Sequence, residues 1–226
     1  MTREFYPSRI TELSRKLLSE IQELAEKTED ITLLGGWAVR ALVEDAFAIE
    51  SQDIDLLIHT NKAWNPCIDL LKEKGGEWRI YRNRRGDRFR DHRMVFPRRD
   101  PLAVDIFYTN QINHELLISL FGTLWGNGFK ELGYTGFIPK LGTIILDKFN
   151  TIPSRKRPIK VIKDILDIHA MIFHNKEGKG LDEIWNPEID SAIKRVMKIL
   201  DDFSSDERCS SEAKDILEIM NKRKTR

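Results

Sequence analysis

Cysteine is nearly absent: the 226 residues hold two, Cys67 and Cys209. They stand far apart with no partner at metal-ligand spacing, which argues against a disulfide scaffold and for a reducing compartment. Long apolar runs are missing too. None approaches the roughly 20 residues that span a bilayer, and the opening MTREFYPSRI lacks the apolar core of a signal peptide. Neither sign of charge dominates, since 37 Lys and Arg face 36 Asp and Glu. A global attraction to nucleic acid or membrane is thereby excluded, and any electrostatic preference has to be local. Repeats and low-complexity tracts are also lacking. The chain is expected to be cytoplasmic, without a membrane partner, and long enough for one or two domains with a sizeable core.

What is present is a change of pattern along the chain. Residues 8–28 carry Ile10, Leu13, Leu17, Leu18, Ile21 and Leu24 at helical spacing behind Ser8, a residue suited to capping. A short buried strand at 31–34, a Gly35-Gly36 turn and a helix from Trp37 to about Asp45 follow. Next come a strand from Asp53 to Ile58 and a helix near Cys67 to Lys74, closed by Gly75-Gly76. From Trp78 to Thr109 the pattern is of strands, in EWRIYRNRR, RFRDHRMVFP and LAVDIFYT. After about residue 139 helical periodicity takes over. The expectation is an α/β (α+β) fold with a mixed sheet and flanking helices in 1–125, then a helical domain in 126–226. The glycine-rich FGTLWGNGFKELGYTG lies between them.

The residues that carry chemistry sit in the first part. A strand sends residues i and i+2 to one face, so Asp53 and Asp55 emerge side by side from a stretch otherwise made for burial. Two carboxylates that close repel and raise each other's pKa unless a positive charge lies between them, and a divalent metal is the usual remedy. Mg²⁺ suits them, because it takes oxygen ligands and keeps places for waters and phosphates. Gly35 and Gly36 let backbone approach a ligand, and the free N–H groups of the following helix favour phosphate. Asp105 stands alone among apolar residues. Two roles are open to it: a third carboxylate that joins one or two metal ions or takes the attacking hydroxyl's proton, or a structural partner for an arginine.

The order strand, Gly-Gly, helix, Asp-x-Asp strand and later third acid resembles the DNA polymerase beta-like nucleotidyltransferase superfamily. "LLGGWAVRAL" and "SQDIDLLI" carry the resemblance, which covers residues 31–109. It implies a nucleotidyltransferase fold and transfer of a nucleoside monophosphate from an NTP, with pyrophosphate leaving. Gly35 and Gly36 would contact the triphosphate, while Asp53, Asp55 and Asp105 would hold Mg²⁺ and activate the acceptor. Within the superfamily, "GGWAVRAL" is similar to the lincosamide and aminoglycoside nucleotidyltransferases. Those carry an acid where this chain has Arg40, and a Thr-Arg-x-His element where it reads "AIESQ". Ser51 before the acidic pair, Lys148, and Lys163 with Asp164 and Asp167 are similar to the toxins of abortive-infection toxin–antitoxin systems. That branch is favoured. It implies RNA, tRNA above all, as acceptor, a possible antitoxin partner, and nucleotide-binding roles for Lys148 and Lys163. The alternatives are a protein or a small-molecule antibiotic as acceptor, or a non-catalytic nucleotide- or RNA-binding module.

One local charge excess stands out. Nine arginines lie between Arg79 and Arg99, interleaved with Tyr81, Phe89, His92 and Phe96. Guanidinium forks match phosphate geometry and planar side chains stack on bases, so Arg84, Arg85 and Arg88 are candidate RNA-binding residues. The competing use of such arginines is to discourage edge-to-edge strand pairing.

Overall fold

The structure, a computed structural model, describes residues 8–28, 30–49, 51, 53–58, 61–80, 92–96, 102–108, 134–135, 138–185 and 187–224. It is a mixed α/β (α+β) protein, and its described residues fall into two compact units. Those of the first lie within Arg3–Ala41 and Glu50–Lys140, those of the second within Leu42–Ile49 and Leu141–Arg226. Among the described residues no helix is long and apolar enough to cross a membrane.

The first unit is built on a five-stranded sheet. Its strands are β1 (Ile31–Leu34), β2 (Asp53–Ile58), β3 (Glu77–Ile80), β4 (His92–Val95) and β5 (Ala103–Tyr108), in the spatial order β1-β2-β5-β4-β3. β2 and β5 run parallel; the other pairs are antiparallel. A parallel pair needs a crossover, which here consists of α3 (Asn61–Glu73) with β3 and β4. Helix α1 (Ser8–Thr28) packs on α3, β1 and β2. Its buried stripe is Ser14, Leu17, Ile21, Ala25 and Thr28, whereas Leu13, Leu18 and Leu24 stay half-buried. The tight packing line therefore runs through small residues that hydropathy alone passes over. Gly75 ends α3 at φ 87°, and the Gly76 N–H reaches back to the Leu71 carbonyl at 2.9 Å. That left-handed glycine cap matches the expected stop. Helix α2 (Gly35–Leu42) begins at the glycine pair itself, two residues before the expected start. A short ribbon, β6 (Tyr134–Thr135) with β7 (Ile138–Pro139), completes the described strands.

The second unit is helical. Its elements are α4 (Leu141–Thr151), a 3₁₀ turn (Ile152–Ser154), α5 (Pro158–Phe173), α6 (Leu181–Ile184), α7 (Pro187–Phe203) and α8 (Ser210–Lys224). α4 touches α5 and α7, and α8 touches the same two, so four helices close a ring around one core. Residues 42–49, from early in the sequence, are tied to the end of α5. The Glu44 N–H donates to the His174 carbonyl at 2.9 Å and the Lys176 N–H to the Leu42 carbonyl at 2.8 Å. Phe47 lies flat on the His174 ring, with centroids 3.4 Å apart.

Candidate functional site

β2 alternates as its sequence demands. Ile54, Leu56 and Ile58 are fully buried, while Asp53 and Asp55 on the other face are half-buried. β5 repeats the pattern with Val104 and Ile106 buried and Asp105 half-buried. Because the two strands are parallel and in register, Asp55 and Asp105 are direct partners, and Asp53 pairs with Ala103. Partners on neighbouring strands stand about 5 Å apart at Cα and share a face. All three acids therefore belong to one side of the sheet.

Gly35 joins this group through the turn into α2. Leu34, the last residue of β1, is the register partner of Asp55, so the chain enters the helix beside that carboxylate. Gly35 has φ 63°, and a Cβ built there would meet Asp55 Oδ2 at 2.0 Å. Two independent reasons thus require glycine: a left-handed backbone and a carboxylate in the space of a side chain. Gly36, the second helical residue, is buried. Next along α2, Trp37 is buried with its Nε1–H unpaired among the described residues, a donor that sequence reasoning missed.

The acids meet the chemical demands of Mg²⁺: hard oxygen donors, half-buried, close in register, beside a helix N-terminus suited to the phosphates that complete such a site. Among the described residues no three His, Cys, Asp or Glu side chains are gathered to hold an ion by themselves. One or two carboxylates with waters and substrate phosphates are enough for Mg²⁺. The candidate RNA-binding residues Arg84, Arg85 and Arg88 lie outside the described residues. Arg79 and Arg93 are placed by register: Arg93 is the partner of Asp105, and Arg79 of Arg93.

The helical unit holds a second charged group. Lys148 on α4 is 4% exposed, and Asp164 and Asp167 on α5 are 2% and 1% exposed. The Lys148 ammonium donates to Asp164 Oδ1 at 2.7 Å and to Asp167 Oδ2 at 2.6 Å. Arg155 donates through Nε to Asp164 Oδ2 at 2.6 Å. Burial pulls the lysine's pKa down, but the two carboxylates outweigh it and the net shift is upward. For Asp164 burial acts upward, yet Lys148 and Arg155 hold it below the ordinary value. Asp167 Oδ1 has no hydrogen-bond partner among the described residues. Lys163 is half-buried on the same helix. Helical spacing of Asp164 and Asp167 was visible in the sequence; their shared lysine was not.

No protein-family model matches the chain, and no curated protein does. Among solved structures, the chain is similar to the crystal structure of JHP933 from Helicobacter pylori. Identity is 17%, 93% of each chain is covered, and the TM-score is 0.49.

Proposed function

We propose that this chain is a Mg²⁺-dependent nucleotidyltransferase of the polymerase beta-like kind. It moves a nucleoside monophosphate from an NTP to a hydroxyl of RNA. The observation that carries the reading is the juxtaposition of Gly35, at a positive φ and pressed against the Asp55 carboxylate, with Asp105 as the next residue across the sheet. In this reading the start of α2 takes the β and γ phosphates on its free N–H groups. Asp53 and Asp55 would hold Mg²⁺, which would supply charge neutralisation at the transferring phosphate. Asp105 accepts the proton of the acceptor hydroxyl as its oxygen bonds to the α-phosphorus. The bond to the β-phosphate oxygen breaks, and pyrophosphate leaves with the electron pair.

A specific observation also favours a quieter reading. Asp55 Oδ2 lies so close to Gly35 that Asp55 is suited to capping α2. Incubation of the protein with Mg²⁺, each labelled NTP in turn, and either bulk tRNA or lincosamide and aminoglycoside antibiotics separates these readings. Label transferred to tRNA with release of pyrophosphate supports the proposal, and label on a drug moves the acceptor to a small molecule. No transfer, together with no Mg²⁺-dependent NTP binding, leaves Asp55 as a cap.

A further inference from the structure

We propose that the turn into α5 is a polyanion-docking surface of the helical unit, where Lys156, Arg157 and Lys160 hold the phosphate backbone of an RNA. The choice of RNA as the polyanion rests on the acceptor proposed above. From Ile152 to Lys163 the chain carries Arg155, Lys156, Arg157, Lys160 and Lys163 and no acid. Two carboxylates follow, Asp164 and Asp167, but Lys148 and Arg155 already answer them, in contacts of 2.6 to 2.7 Å. That inner cluster is therefore neutral and offers no negative charge to the surface outside it. Lys156, Arg157 and Lys160 stay exposed, and none meets a carboxylate among the described residues. In this they differ from Lys176, Arg208, Lys222 and Arg223 of the same unit, each of which has a carboxylate within 3.1 Å.

Their position adds to the repulsion. Arg157 is the N-cap residue of α5 and Lys160 lies in its first turn, which holds no acid, and no side chain caps the helix. A helix N-terminus is the positive end of its dipole, so acids are favoured there and cations lower stability. One Asp or Glu in place of Arg157 or Lys160 would relieve the crowding, so stability alone does not account for it; a local rule broken in this way fits a surface kept for binding. An anion relieves the crowding as well. Three exposed cations exceed the needs of one phosphate, whereas along a nucleic-acid strand each can meet its own, and the released counterions supply affinity. Arg157 adds a planar fork that matches phosphate oxygens. An anionic membrane offers the same charge but asks for an apolar face beside it. Helix α5 instead turns Val161, Ile162, Ile165 and Ile168 into the core, and Ile159 is the exposed apolar residue between the cations.

The test compares wild type with a triple variant, Lys156→Gln, Arg157→Gln and Lys160→Gln, and with a control triple of paired cations, Lys176→Gln, Arg208→Gln and Lys222→Gln. Bulk tRNA affinity is measured over a salt series, sedimentation with phosphatidylserine vesicles covers the membrane, and thermal unfolding checks the fold. The triple variant is expected to lose at least about tenfold in tRNA affinity at low salt, and its log–log salt slope should flatten by about two units, somewhat under one per contact. The control triple should stay within about twofold of wild type. Lys160→Glu should unfold at a temperature equal to or above that of wild type, since it places an acid at the helix start, while binding tRNA more weakly. If the triple variant does not fold, Lys160→Gln decides by its own change of slope. Unchanged tRNA affinity and slope in the folded triple variant overturns the inference, as do equal losses in the control, no tRNA binding by wild type, or binding to vesicles without binding to tRNA. So does early unfolding of Lys160→Glu, which would make this lysine a structural partner. A wild type that binds tRNA through these cations but transfers no label from any NTP with Mg²⁺ instead overturns the nucleotidyltransferase reading alone.

Discussion

Each unit carries a close pair of aspartates, and their surroundings are opposite. In the helical unit Asp164 and Asp167 are buried, and Lys148 and Arg155 neutralise them within hydrogen-bond distance. In the sheet unit Asp53, Asp55 and Asp105 are half-buried, with like charge as the immediate neighbour of Asp55 across the strands. A carboxylate whose charge is answered internally behaves as part of a core. One that faces another carboxylate in register at a half-open surface has like charge beside it, which favours its neutral form. The same residue type at similar spacing thus lies inside a core in one place and on a half-open sheet face in the other.

The largest effect that sharpens this contrast is expected at Asp55. Asp55→Asn keeps shape and an oxygen beside Gly35 but removes the charge, so single-turnover transfer of labelled NMP should fall about 10³-fold or more. Its thermal unfolding should remain near wild type, because relief of carboxylate repulsion offsets lost contacts. Near-normal transfer in a folded Asp55→Asn protein would return this residue to a capping role.

The second effect is on stability. Lys148→Met strands two buried carboxylates with Arg155 alone, and urea unfolding should show a loss of about 3–5 kcal/mol. Adding Asp164→Leu and Asp167→Leu should restore most of it, since an apolar core of similar volume replaces the charges. A loss under about 1 kcal/mol in the single variant would show that water reaches the cluster readily.

Gly35→Ala is expected to be next. The left-handed backbone alone costs about 1–2 kcal/mol, and the clash with Asp55 Oδ2 adds to it. In an Asp55→Ala background the contacts with the carboxylate disappear and only the close Cβ at position 55 remains, so the same substitution should cost little more than the backbone part. Equal costs in both backgrounds, measured as a double-mutant cycle, would place the carboxylate elsewhere.

The smallest effect is in pH dependence. The raised Lys148 pKa contributes stability that is fully present below the unfolded value of 10.5 and is lost as pH rises through the folded value. The lowered Asp164 pKa contributes stability present above 3.8 and lost as pH falls through its folded value. Between about pH 4 and 10 the cluster should therefore add a flat term. Asp164→Asn should remove the acid limb of the stability profile, and an unaltered limb would assign it to other groups.

Much of the local structure was legible beforehand because it depends on short-range periodicity. The alternation in DIDLLI, the lone acid in LAVDIF, the glycine stop after α3 and the helical character after about residue 139 all follow from residues within a turn or a pleat of one another. Burial in the helical unit was less legible. Lys148 reads as an ordinary lysine on an amphipathic helix, and only the approach of α5, 16 residues away at Asp164, gives its charge a place inside.

By itself the sequence determined which residues carry opposed chemistry: carboxylates two apart on a strand, glycines at a strand-to-helix turn, and arginines crowded into one segment of a chain that is neutral overall. Tertiary structure alone decided which of them meet. β5 passes over β3 and β4 to lie parallel to β2, and that strand order puts Asp105 beside Asp55 and Arg93 beside Asp105. The physical reason is that side-chain direction is a property of the backbone within a few residues. Strand order and register are selected by burial of Ile54, Leu56, Val104 and Ile106 across the whole sheet, and the polar partners on the opposite face follow from that choice.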